Sequence, residues 1–373
     1  MDLELSEDQR ALRDGVRRVL EEQCPPALPR AVHEAGETGS ALWQQMAGLG
    51  WPGVAIAEAQ GGLGRGAVEL CLVAEELGRA VAPGPFLATA TQLAPLLQEA
   101  PDSPLAVRLL QRIAEGRLSG SVALAEDDRW DVATIACHAR PVSGGFRLDG
   151  RKTAVFAGAS ADEIAVIARA EAGLGVFLVP RAAVKVQERR VVDPTLGLVD
   201  LVLDGAAVQA ERVLLAPGPA TERAAERALE VATVALALAT IGCCRRIFEL
   251  TLEYAKVRRQ YDRPIGSFQA LKHRLADMYL TVERATALGY FAALTLAEED
   301  PRRGEATALA KVEAGDCQRL VVEEGLQLHG GIGFTWEHDL HLFLRRAKAG
   351  DPLLGSATEQ RAKLARRLGL VAA

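Results

Sequence analysis

The stretch Tyr254-Ala255-Lys256-Val257-Arg258-Arg259-Gln260-Tyr261-Asp262-Arg263-Pro264-Ile265-Gly266-Ser267-Phe268-Gln269 sits between two long helical segments and organises the whole chain. Residues 221–261 carry no proline, and at ~1.5 Å per residue they make a helix about 60 Å long. Residues 268–298 and 304–329 read as further long helices, and a short one starts at Ser356. Long helices joined by short connections form a bundle, here of four helices.

Upstream the period changes. Short β-branched runs recur at 121–125, 132–138, 163–169, 176–179, 184–191 and 198–203. Gly144-Gly145 and Asp149-Gly150 supply hairpin chemistry between them, and many short strands at regular spacing make a small sheet or barrel. The first 117 residues are helical again. Ser6 with Gln9 forms a capping box, and Leu12, Val16, Val19 and Leu20 then line one face. Trp43 and Leu49 close a second helix near Gly50, and residues 69–78 form another. Between these two lies Glu58-Ala59-Gln60-Gly61-Gly62-Leu63-Gly64, which reads equally as a plain turn. The expected class is α+β: an N-terminal helical domain (1–117), a middle β-domain (118–217) and a C-terminal helical bundle (218–373).

With 49% apolar and 25% charged residues over 373 positions, a full core is expected. The net charge of −6, without a block of five like charges, argues against nucleic acid as a standing partner. The six cysteines are scattered, and adjacent Cys243 and Cys244 lack the spacing of a metal pair. No metal site is expected, and reduced core cysteines fit a cytosolic protein. Residues 1–22 are charged and amphipathic rather than a secretory signal. The most apolar run, residues 231–244, is too short to span a bilayer.

Singly, the candidate motifs say little. Gln327-Leu328-His329-Gly330-Gly331-Ile332-Gly333 follows a helix rather than a strand, so it is no Rossmann fingerprint, and its glycines serve equally as a helix cap. His329 fits a satisfied polar contact better than a ligand. The pairs Arg258-Arg259 and Arg345-Arg346 suit solvated helix ends.

Together they resemble one family over nearly the whole chain. The stretch 254–269 resembles the acyl-CoA dehydrogenase signature Y-x-x-x-R-x-x-F-G-x-x-I-x-x-F-Q, continued by His273 and Ala276-Asp277-Met278. The Q-x-x-G-G-x-G-F segment follows at the expected distance. The loop 58–64 is similar to P-E-x-x-G-G-x-G. Leu148-Asp149-Gly150-Arg151-Lys152 with Ala161-Asp162 is similar to L-x-G-x-K … A-D.

The resemblance implies FAD-dependent α,β-desaturation of an acyl-CoA thioester, in which a glutamate takes the α-proton and flavin N5 the β-hydrogen as hydride. It implies a tetramer with FAD sites shared between neighbours, and an electron-transfer flavoprotein as acceptor. Arg258, Tyr261, Gln269, Gln327, Gly330, Gly331 and Ser356 match the family's FAD-contacting positions. Arginine suits a pyrophosphate because its fork binds phosphate oxygens in pairs. Tyr261 replaces a phenylalanine and keeps the ring.

The base does not carry over. Counted from Arg345, Ala347 and Lys348, the Y-E-G-T motif falls on Leu353-Leu354-Gly355-Ser356, so Leu354 stands at the glutamate position. Relatives with a base on the long helix place it ten residues before the glycine matched by Gly242, here Ala232. Glu230, about 200° around the helix from Ala232, points away. Asp351 is on the right loop, three residues early, and is the candidate for a relocated base. The T-E-P-G-A-G-S-D segment is reduced to Ala125-Glu126-Asp127-Asp128, and W-I-T reads Ala154-Val155-Phe156. Residues given to a neighbour's FAD persist, while those around the chain's own flavin are lost. That pattern fits the base-lacking subunit of a heteromer, an arrangement the family uses for bulky substrates such as steroid side-chain CoA esters. The alternatives are a self-sufficient dehydrogenase using Asp351, or a non-catalytic FAD-binding relative.

Overall fold

The computed structural model describes residues 4–371. The first three residues of the amphipathic opening, and the last two of the chain, lie outside that range. Ser6 Oγ accepts from Gln9 N–H at 3.1 Å while Gln9 Oε1 accepts from Ser6 N–H at 3.0 Å. This reciprocal box starts α1 (Glu7–Gln23). Helices α2 (Ala27–Ala35), α3 (Ser40–Gly48) and α4 (Ala67–Arg79) follow. Next come α5 (Phe86–Ala88), α6 (Ala94–Gln98) and α7 (Pro104–Ala114). Prolines hid α2, α6 and α7 from the sequence reading, because each sits in a first turn where its missing N–H costs nothing. Ahead of Pro95 the chain widens into a π turn, with Ala94 N–H bonding to Thr89 O.

The middle segment is a mixed sheet of eight strands. They are β1 (Gly120–Ala123), β2 (His138–Val142), β3 (Gly145–Val155), β4 (Glu163–Ala170), β5 (Gly173–Pro180), β6 (Lys185–Glu188), β7 (Val199–Gln209) and β8 (Val213–Leu215). Their order is β6-β7-β3-β2-β4-β5-β8, with β1 parallel to β4. The strand expected over 132–138 does not form. Side chains claim that backbone instead: Asp131 caps a 3-10 turn at Val132–Thr134, and the Glu126 carboxylate takes the N–H groups of Ala136 and Cys137 at 2.7 and 2.9 Å. The turn at Gly144-Gly145 does join β2 to β3, as its residues predicted, whereas Asp149-Gly150 makes no hairpin turn: both lie inside β3, where the pairing with β7 shifts register between Leu148 and Gly150.

Helix α8 (Pro219–Val257) runs 39 residues, rich in alanine, with proline only in its first turn. It is long and apolar enough by length and composition to cross a membrane, contrary to the short apolar run read from the sequence. Yet 78% of its most apolar window is buried inside the protein, so it is a core helix. Its buried threonines hide their hydroxyls on the preceding turn, Thr233 on Leu229 O and Thr251 on Ile247 O, both at 2.7 Å. It ends four residues earlier than expected. Arg259–Gln260 (β9) pairs with Arg263–Pro264 (β10) in a tight hairpin whose centre, Tyr261 and Asp262, takes φ +51° and +61°. Both central residues of such a turn need positive φ, which no helix accommodates. Helices α9 (Gln269–Ala297), α10 (Arg303–His329), α11 (Leu340–Gly350) and α12 (Ala357–Arg367) complete the bundle. Glycine lets α4 meet α8 backbone to backbone: a Cβ on Gly78 would overlap the Ala239 carbonyl, and one on Gly242 the Glu75 carbonyl.

Candidate functional site

The last turn of α8, which leads into the hairpin, and the end of α10 lie side by side. Tyr254 stacks on His329 with ring centroids 4.6 Å apart and planes 19° from parallel. Arg258 follows Tyr254 by one turn, and Gln327 precedes His329 by two residues. The imidazole of His329 bonds to Gly325 O at 2.7 Å through Nδ1, and burial pushes its pKa down. It is the satisfied polar contact its sequence setting suggested on that side, while its Nε2 has no partner.

Several rings near this stack face outward. Tyr261 is 86% exposed and Phe334 77%. Arg258, Gln269 and Gln327 are exposed and have no side-chain partner among the described residues. A Cβ added at Gly330 or Gly331 would meet nothing within 4 Å, so the chain's own packing requires neither glycine. Gly330 has φ +62°. Bare backbone, an unpaired guanidinium and exposed rings at one end of a bundle fit a dinucleotide shared with a second subunit. Ser356 is committed elsewhere: its Oγ caps α12 by accepting from Glu359 N–H at 3.3 Å.

The two base positions meet in space. Leu354 and Ala232 line one apolar cavity with Leu96, Leu124, Trp130 and Leu229. Its volume is about 20 Å³, room for roughly one water. Leu354 is 2% exposed and adopts φ +58°, a left-handed conformation that a branched side chain rarely takes. Asp351 does not face this cavity. Its Oδ1 accepts from Ala357 N–H at 3.4 Å and lies against Gly315 of α10. Beside it, Lys311 is wholly buried, donates to Gly350 O, and is pushed down to about 8 by burial. Glu230 also points away, as its helical phase implied. It lines a separate cleft of about 260 Å³ with Thr307 and Arg366, 3.1 Å from Arg303, and burial pushes its pKa up.

The segments matching the family's own-flavin side are bound to protein instead. Glu126 accepts from the buried Lys152 at 2.6 Å, and Asp128 from Arg189 at 2.6 Å. Ala154 N–H donates to Asp200 at 3.1 Å. Burial pushes the Asp200 carboxyl up, but the bonds from Ala154, Arg189 and Arg151 outweigh it and leave it below the usual carboxylate range. The polar groups of these segments are thus spent on the protein itself.

Two features escaped the sequence reading. Trp130 walls both cavities just described, a role that no local pattern signals. Asp193, fully buried, has Oδ2 3.3 Å from Arg346 Nε, tying the loop before β7 to α11. An aspartate two residues before a threonine signals only an Asx turn, which it also makes.

The family description "Acyl-CoA dehydrogenase, C-terminal domain" matches residues 222–369, and "Acyl-CoA dehydrogenase, N-terminal domain" matches residues 6–117. Acyl-CoA dehydrogenase IpdE2 of Mycobacterium tuberculosis is 32% identical over 95% of this chain and 95% of its own length. Among solved structures, the ChsE4–ChsE5 complex from Mycobacterium tuberculosis superposes with a TM-score of 0.90 at 30% identity, covering 100% of both chains. A variant of the Tcur3481–Tcur3483 steroid ACAD gives 0.87 at 31% identity and 98% of both. On the strength of these matches, its α+β architecture and the site just described, the chain belongs to the acyl-CoA dehydrogenase family.

Proposed function

We propose that this chain is the base-lacking subunit of a heteromeric, FAD-dependent acyl-CoA dehydrogenase. One observation carries the reading: both positions from which the family draws its base, Leu354 and Ala232, face a cavity with room for one water, while Arg258, Gln327, Gly330 and Gly331 open outward on the bundle's end. When bound, FAD supplies the hydride acceptor for the β-carbon of an acyl-CoA thioester. Arg258 neutralises pyrophosphate charge, Gly330 and Gly331 let backbone approach the dinucleotide, and Tyr261 and Gln269 flank it. Ser356 only positions the loop after Leu354. The homologous subunit brings the glutamate and the acyl pocket, which this chain's filled cavity does not offer.

The two similar structures are each named for two chains, which supports a heteromer, here a tetramer held by its bundles. An electron-transfer flavoprotein is the expected acceptor. The six free, buried cysteines suit a cytoplasmic setting. The test is turnover on a panel of acyl-CoAs, with bound flavin quantified, for the chain alone and co-expressed with a homologue carrying the glutamate. The expected result is about one FAD per heterodimer and near-zero activity of the chain alone, since a positioned base contributes about 10²–10⁴ in rate. One FAD per chain with ordinary turnover by the homomer overturns it.

A further inference from the structure

We propose that Arg30 and Glu34 of α2 are positioning residues for the outward-facing turn 330–334, which they hold through Trp336 and Asp339. The inference rests on the reading that this turn serves a neighbour's FAD. The turn has little of its own to fix it. Gly330 and Gly331 leave open space where a Cβ would stand, and the side chains of Ile332 and Phe334 are exposed. Within the turn only Gly333 is buried, against Leu326, His329 and Leu340. Upstream, the chain leaves α10 at the buried His329. Downstream, residues 335–339 must hold it before α11 begins at Leu340.

That downstream segment is tied to the N-terminal domain. The Arg30 guanidinium donates through Nη1 to Trp336 O at 2.7 Å and through Nη2 to Asp339 Oδ1 at 2.6 Å. One rigid fork thus grips the segment at two points, which a lysine could not do. Glu34 stands one turn further along α2 on the same face. Its Oε1 accepts from Trp336 Nε1 at 2.6 Å, and the indole lies flat on His341 with ring centroids 4.2 Å apart. Arg345 lies over the same ring but makes none of these bonds, so its loss leaves the strap tied. A lone surface ion pair contributes little. Here the bonds converge on a short segment that continues directly into the turn. A loop already held in its binding geometry loses less freedom when the ligand arrives, so the strap acts on flavin affinity more than on folding.

The test titrates FAD into the co-expressed heteromer after its flavin is stripped, following flavin fluorescence, beside a thermal melt of the apo-assembly and amide exchange at residues 330–335. Arg30→Met should raise the FAD Kd about three- to tenfold, and the Arg30→Met/Glu34→Leu double variant at least about tenfold. Both should speed exchange at 330–335 and leave the apo-melt near wild type. Trp336→Phe breaks the Glu34 bond from the other side while keeping a ring on His341, and should raise the Kd about threefold. Glu34→Gln keeps an acceptor for the indole and should stay within about twofold of wild type. Strap variants that bind FAD like wild type while Arg258→Ala releases it overturn the proposal and leave the shared-flavin reading standing. If Arg258→Ala keeps its flavin as well, that reading falls and takes the proposal with it. An apo-melt lowered enough to account for the whole loss of flavin makes the strap merely structural, and also overturns the proposal.

Discussion

Replacing Arg258 by alanine should strip flavin from the assembled enzyme without touching the fold of this chain. The guanidinium is exposed and bonds to no side chain, and Arg258 holds its place through backbone alone, N–H to Tyr254 O at 2.8 Å and C=O from Ile265 N–H at 2.8 Å. Truncation therefore costs folding at most about 0.5 kcal/mol, the range of a surface change away from special features. If the same group pairs with a pyrophosphate, its loss costs about 1.5–3 kcal/mol of cofactor binding, about ten- to a hundredfold in Kd. Arg345 is the control, because its guanidinium lies 4.8 Å over the Trp336 ring. Arg345→Ala should lose about 0.5–1 kcal/mol of that contact and keep its flavin. The assay is flavin absorbance per protomer after gel filtration, beside a thermal melt of the apo-protein. Equal flavin occupancy in the two variants, or an apo-melt of Arg258→Ala lowered as much as its flavin content suggests, refutes the placement of Arg258 at the phosphates.

Three further outcomes follow from particular contacts. Asp351→Asn should leave turnover of the co-expressed enzyme within about twofold, because its carboxylate faces α10 and Ala357; a fall of 10² or more would make Asp351 the base after all. Asp193→Ala should lower unfolding free energy by about 3–5 kcal/mol, since it strands the buried Arg346 charge; a urea midpoint shift worth under about 1 kcal/mol would show the pair to be dispensable. Lys311 is charged in both states below about pH 8, where its burial penalty is complete. Above that the folded chain sheds the proton while the unfolded chain keeps it to about 10.5, so this group's share of stability rises with pH, by about 1.5 kcal/mol between pH 8 and 9.5. Urea titrations of wild type and Lys311→Met at both pH values should differ by that slope, and parallel behaviour would count against it.

What the sequence disclosed depended on whether the deciding force was periodic. The β-branched runs at 163–169 and 176–179 became β4 and β5, and the long helices stood nearly where alanine and leucine placed them. Strand β3 was legible only at its turn, because Gly145–Val155 mixes Arg, Asp, Gly and Lys. Its Lys152 is fully buried, which becomes intelligible only once Glu126 is found 2.6 Å away. The end of α8 was misread because nothing in Arg258 to Tyr261 opposes a helix locally; the hairpin pairing with Arg263–Pro264 decides it. At the candidate site, single motifs were ambiguous and only their order was informative. The meeting of Leu354 with Ala232 is a fact of packing between α8 and the loop before α12, and no spacing along the chain encodes it.

That meeting point also bears on reversibility over evolutionary time. A lost base can return by a single codon change only if the space around it has stayed open. Here a leucine held at φ +58° fills it, against neighbours that leave room for one water. A glutamate reappearing at either position would need companion changes in Leu96, Leu124 or Trp130 before it was of any use, and until then it would only cost stability. On the proposed reading packing acts as a ratchet: with side chains closed over the vacancy, dependence on a second gene is easier to keep than to undo.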